Sequence, residues 1–170
     1  MKRSKTSFGA RLAWAVLVLG ASAAGCTTHD GMMGGDGTTE TRSGYAQSRA
    51  GLDRVREGTT TFRAGNTGPG RDAIRGGVTQ FSSGLDMMRS GLRMMSGDMM
   101  ERCGGAPDNM MGGLDRGLGA MREGMTMLDD ADPTNDAEGM AKMDSGAQTA
   151  EDGMGAMDGA TSCMGHGRMM

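Results

Sequence analysis

Large apolar residues are scarce in this chain, and from residue 45 onward they follow one repeating pattern. Ile74, Val78, Phe81, Leu85, Met88, Leu92, Met95 and Met99 are spaced alternately four and three apart. The same alternation runs through Met111, Leu114, Leu118, Met121, Met125 and Leu128, and again through Met140, Met143, Ala147, Ala150, Met154, Met157, Thr161 and Met164. A weaker row, Tyr45, Ser48, Leu52, Val55, Thr59 and Phe62, opens the series. A period of about 3.5 residues belongs to helices packed side by side in a left-handed supercoil, with these residues at heptad positions a and d.

Glycine keeps the same beat. It occupies position g at Gly44, Gly51, Gly58, Gly65, Gly70, Gly77, Gly84, Gly91, Gly117, Gly124, Gly139, Gly146 and Gly153. A helical glycine costs about 1 kcal/mol relative to alanine, so a glycine in every heptad needs a reason. Beside the seam, a missing side chain lets a neighbouring backbone come close; the alternative is a set of marginal helices that form only on binding.

Pro69, Pro107 and Pro133 punctuate the pattern where one heptad block gives way to the next, as helix stops and restarts do. The spacing predicts four helices, over 41–65, 70–103, 108–129 and 133–164. Short links make sequential helices antiparallel, so the expected fold class is all-α, an antiparallel up-down-up-down four-helix bundle. Charge agrees with that order. Residues 129–158 carry nine acids against Lys142 alone, while residues 40–63 carry five Arg against three acids, so the last helix can lie against the first.

Ahead of the heptads the character changes. Lys2, Arg3, Lys5 and Arg11 precede an apolar run over 12–20 that is too short to span a bilayer, the pattern of a secretory signal. The run closes on Ala23-Ala24-Gly25-Cys26, which resembles the lipobox of bacterial lipoproteins. That resemblance implies a diacylated Cys26 at the mature N-terminus and a membrane as the first partner. Thr27 in place of Asp after it favours the outer membrane. Ala23 stands where that family prefers Leu, and ordinary cleavage beside Ala-Ser-Ala would instead leave Cys26 as a thiol. The organisation read from the sequence is a signal peptide over 1–25, a flexible Gly/Thr/Asp-rich tether over 26–40, the bundle over 41–164 and a Met-rich tail over 165–170.

Composition bears on function mainly by exclusion. Beyond residue 25 the chain has 14 basic and 21 acidic residues, which argues against nucleic acid as a partner. Leu, Ile, Val and Phe make up only 11 of those 145 residues, a level usual for disordered chains, so the heptads must rely on methionine. No nucleophile–base pair, facing carboxylates, E-x-x-H or phosphate loop with its Lys and Ser/Thr is present, and the expectation is a protein that is not an enzyme.

Twenty methionines follow Met1, and eleven of them fall on a or d. There a flexible thioether fills a core. Met87, Met94, Met100, Met110 and Met127 flank the seam, and Met32, Met33, Met169 and Met170 lie outside the helices. Neutral thioether sulfur is a soft ligand suited to Cu(I) and Ag(I). In an up-down-up-down bundle one pole collects His29, Met32, Met33, Met99, Met100, Met110, Met111, Met164, His166, Met169 and Met170, the candidate ligand set. Cys103 and Cys163 fall at the same pole and in an exported protein are expected to pair as a disulfide. No motif demands a dedicated cofactor; Cu(I) is the candidate ion. Two readings stand at this point: an envelope lipoprotein that binds soft metal ions, and a structural spacer or interaction protein in which methionine only packs the core. Methionine as an oxidant sink is a variant of the second.

Overall fold

A computed structural model describes residues 37–95, 107–130 and 132–166, with only the backbone described for 107–110 and 160–166. These residues form four helices and no strands: α1 (Gly37–Arg63), α2 (Thr67–Met94), α3 (Pro107–Asp129) and α4 (Thr134–His166). The fold is an all-α four-helix bundle, with α1 packed tightly on α2, α3 tightly on α4, and looser seams joining α1 to α4 and α2 to α3.

The core is the a/d row. Every buried apolar side chain described, from Leu52 and Val55 on α1 to Met154 and Met157 on α4, occupies a predicted a or d position. Tyr45 and Met95 pack against that core while partly exposed. The hydroxyls that α1 brings into it are satisfied locally. Thr41 Oγ1 donates to Gly37 O at 2.7 Å and Thr59 Oγ1 to Arg56 O at 2.8 Å, while Ser48 Oγ reaches Phe81 O on α2 at 3.4 Å. Each would otherwise be a buried polar group without a partner, which is costly.

The g-position glycines form the tight seams. A Cβ built on Gly51 would stand 2.8 Å from Gly77 O and 2.5 Å from Phe81 N; one built on Gly77 would stand 2.7 Å from Gly51 O. The same reciprocal contact joins Gly44 to Gly84 and Gly37 to Gly91, one heptad up on α2 for each heptad down on α1. In the second hairpin it joins Gly117 to Gly146 and Gly124 to Gly139. At these rungs only hydrogen fits, and the Cα–H groups face carbonyl oxygens of the opposite helix, a weak but repeated attraction. The heptad glycines are therefore a packing device.

Helix limits differ from expectation at two ends. α1 begins at Gly37 rather than at 41, because Gly37 lies one heptad before Gly44 and completes a rung with Gly91; Gly37, Thr38 and Thr41 are buried, so this part of the expected tether is helix. α2 ends at Met94, Met95 is extended, and the rest of the expected span, 96–103, lies outside the described residues. The next g position is Asp98, so the ladder has no further glycine on this helix.

Between α1 and α2 the chain reverses at Gly65, with φ +89°, donating from Gly65 N to Phe62 O and from Asn66 N to Thr61 O. This is a Schellman closure, which favours glycine at the left-handed residue. Pro69 sits in the first turn of α2, where a missing N–H costs nothing. At the second reversal the Asp132 carboxylate accepts from Thr134 N at 2.9 Å and from Thr134 Oγ1 at 2.8 Å, starting α4 beside Pro133. Among the described residues no helix is long and apolar enough to cross a membrane.

Candidate metal-binding methionines

The looser seams are electrostatic. Residues 37–95 carry nine Arg against five acids, and residues 107–166 carry twelve acids against three bases. Arginine recurs at e on α1 as Arg42, Arg49, Arg56 and Arg63, and acids recur at e on α4 as Asp144, Glu151 and Asp158. Arg56 holds Glu151 through both guanidinium nitrogens, and Arg63 pairs with Asp144. Across the other seam Arg75 meets Asp129 at 2.6 Å, Arg89 pairs with Asp115, and Arg122 donates to Ser82 Oγ at 2.8 Å. Arg71 reaches Asp136 at 3.0 Å while lying over the Phe62 ring, 5.6 Å from its centre. The Arg56 hydrogen bonds hold the Glu151 carboxyl below its usual range, and Glu151 in turn raises the Arg56 guanidinium. The hydrogen bonds from Thr134 likewise lower Asp132.

Methionine is the chemical feature left to place. Met88, Met111, Met121, Met125, Met140, Met143, Met154 and Met157 are all buried. Met87 and Met127 are half-buried, and Met94, in the last turn of α2, is the one exposed large apolar residue among those described, at 52%. Among the described residues no group of three or more His, Cys, Asp or Glu could hold a metal ion.

One candidate ligand is fully visible. Met111 is 3% exposed, in the core beside Leu114. Met110 opens α3, and Cys163, Met164 and His166 lie at the end of α4; only their backbones are described. Cys26, His29, Met32, Met33, Met99, Met100, Cys103, Met169 and Met170 lie outside the described residues. The Gly37–Gly91 rung, the approach of Gly113 to Gly153 and the Arg89–Asp115 pair bring the start of α1, the end of α2, the start of α3 and the far part of α4 to one pole. The opposite pole carries the two reversals at 64–66 and 130–133.

Sequence reading missed two things here. The e-position charge rows were legible as a period of seven in Arg and in Asp/Glu. Which g positions face each other, as Gly124 faces Gly139, could be known only from the packed helices.

No protein family, no curated protein and no solved structure matches this chain.

Proposed function

We propose that this protein is a lipid-anchored, non-enzymatic helical bundle of the bacterial cell envelope, at the outer membrane, that holds soft monovalent metal ions such as Cu(I) or Ag(I) through methionine thioethers at its anchor-side pole. The observation that carries the reading is the division of methionines by position. The described a/d methionines are consumed by the core, whereas those it does not need belong largely to segments that enter or leave the bundle at one end. His29, Met32 and Met33 precede α1, Met99 and Met100 lie between α2 and α3, and Met169 and Met170 follow α4. Met94 is exposed at that same end. Thioethers and imidazoles at a membrane-proximal surface suit a soft ion and leave hard divalent ions poorly served.

The test is a competition titration of the mature protein against a chromophoric Cu(I) chelator, in thiol-reduced and disulfide-oxidised forms. Binding in both forms, lost when Met32, Met33, Met99, Met100, Met110, Met169 and Met170 become Leu, is the expected result. Binding only after reduction would move the site to Cys103 and Cys163. No competition in either form would overturn the metal reading. The burial of Met111 favours a second reading, a spacer or interaction module in which thioethers replace leucine, and that reading expects no metal and no effect of the Leu substitutions.

A further inference from the structure

We infer that two exceptions in the repeat, Arg71 with Asp136 and Ser82 with Arg122, fix the heptad register in which the two hairpins dock. Repetition by itself leaves that register open. A shift of one heptad moves one hairpin about 10 Å along the other, at about 1.5 Å per residue. The a/d rows would still set apolar residues opposite apolar residues, because both repeat every seven. The α1–α4 charge row would survive as well. Arg63 and Arg56 now pair with Asp144 and Glu151; one heptad away they would meet Glu151 and Asp158, and in the other direction Asp144 and Glu151 would meet Arg56 and Arg49. Residues 96–106, which join the hairpins, can reach roughly 35 Å when extended, so the connection tolerates such a shift.

Arg71 and Asp136 break the repeat in the core. Arg71 lies one heptad before Val78 and Asp136 one heptad before Met143, and no other a or d position within the four helices is charged. They meet across the bundle, from α2 to α4, at 3.0 Å, with Arg71 over the Phe62 ring of α1. The side chains are 32% and 25% exposed, and Arg71 Nε is buried without a hydrogen-bond partner. A pair of leucines would leave no such donor, so the ion pair is better explained as a register mark than as a stabiliser, the use that a polar group at an a position has in coiled coils.

Ser82 and Arg122 break the charge row on the other seam. The e positions of α2 read Arg75, Ser82, Arg89, and those of α3 read Asp115, Arg122, Asp129. The one uncharged residue faces the one base among acids, and Arg122 donates to Ser82 Oγ at 2.8 Å. By heptad count, a shift in one direction sets Arg122 against Arg75 and Arg71 against Met143; in the other it sets Arg122 against Arg89 and Asp136 against Val78. Each wrong register thus combines a like-charge contact with an ion facing an apolar residue, and both are unfavourable. A wrong register would also move the ends of α3 and α4 about 10 Å relative to the start of α1, parting segments that now share a pole.

The test is the distance between nitroxide labels at Ala50→Cys of α1 and Ser145→Cys of α4, both exposed positions, in the mature protein with Cys26, Cys103 and Cys163 changed to Ser, read by double electron–electron resonance. A regularised variant, Arg71→Leu, Asp136→Leu, Ser82→Arg and Arg122→Asp, adds apolar residues to the core and an ion pair to the seam, so it is expected to stay helical by circular dichroism. The parent should give one distance, and the variant should add a second population displaced by up to about 10 Å. Restoring Arg71 and Asp136 should return most molecules to the parent distance. A single, unchanged distance in the folded regularised variant would overturn the inference, and so would two distances in the parent. If the four substitutions together unfold the chain, Arg71→Leu, Asp136→Leu and Arg122→Ser, which remove the discriminating charges without adding any, decide the matter by the same two readings.

Discussion

Replacing glycine by alanine should change sign across this molecule, depending only on whether another helix lies opposite. Alanine in a helix interior is favoured over glycine by about 1 kcal/mol, so an unobstructed position gains roughly that much. Gly119, inside α3, has nothing within 4 Å of the place its Cβ would take, and Gly119→Ala is expected to stabilise by about 0.5–1 kcal/mol. At Gly51 the same methyl would lie 2.5 Å from Phe81 N, 2.8 Å from Gly77 O and 2.9 Å from Phe81 Cα. All three are backbone atoms, and ordinary contact needs about 3.5 Å or more, so α1 and α2 must separate by about 1 Å. Separation loosens a fully packed seam over several turns, which places the cost at the upper end of the roughly 1–3 kcal/mol typical of overpacking, beyond the helical gain. Gly51→Ala should therefore destabilise by about 1–2 kcal/mol net, and Gly51→Ala with Gly77→Ala by more than either alone. Urea melts followed by circular dichroism read both variants. If Gly51→Ala and Gly119→Ala stabilise to the same extent, the backbone-to-backbone seam does not exist and the glycine periodicity needs another cause.

Gly65→Ala should cost about 1–2 kcal/mol, because φ +89° is a left-handed conformation, and Gly65→Asn should recover part of it in the same melt. Reversing Arg75 and Arg89 to Glu sets like charges against Asp129 and Asp115. The melting temperature should fall by about 3–6 °C at low salt, return when those acids are changed to Arg, and depend little on the reversal in 1 M NaCl, where the screening length is about 3 Å. Asp132 has its folded pKa depressed by the Thr134 hydrogen bonds, so its contribution is present above the unfolded carboxylate value and is lost as pH falls through the folded one. Asp132→Ala should lower the melting temperature at neutral pH, and the gap from the parent should close on acidification below about pH 4.

A bundle of this kind divides its labour between two kinds of seam. Within each hairpin, glycine at g lets the backbones touch, so a chain short of leucine and isoleucine compensates with dispersion contacts and a methionine filling. Between the hairpins, Arg at e on one side and Asp or Glu at e on the other set which faces meet. Exposed pairs contribute at most about 1 kcal/mol each, so they choose the pairing rather than hold it, and the shared apolar core holds it.

The sequence alone determined the helical class, the four helices among the described residues and the core. A 3.5-residue alternation constrains which face of a helix is buried regardless of what it packs on, and Ile74, Leu85, Leu114 and Met143 could be assigned one by one. It also carried the e-position charge rows and the glycine beat. What it could not determine was where the beat ends: Gly37 belongs to α1 only because Gly91 stands opposite, and a rung has meaning only as a pair. The same limit applied to methionine. Met111 occupies a heptad a position and Met164 a d position, yet the burial of Met111 is a property of the packed helices, and the Gly124–Gly139 rung is a contact between residues fifteen apart. Periodicity is local and a chain carries it in one dimension; which thioethers share a space depends on the register between two helices, and that is set only when their backbones meet.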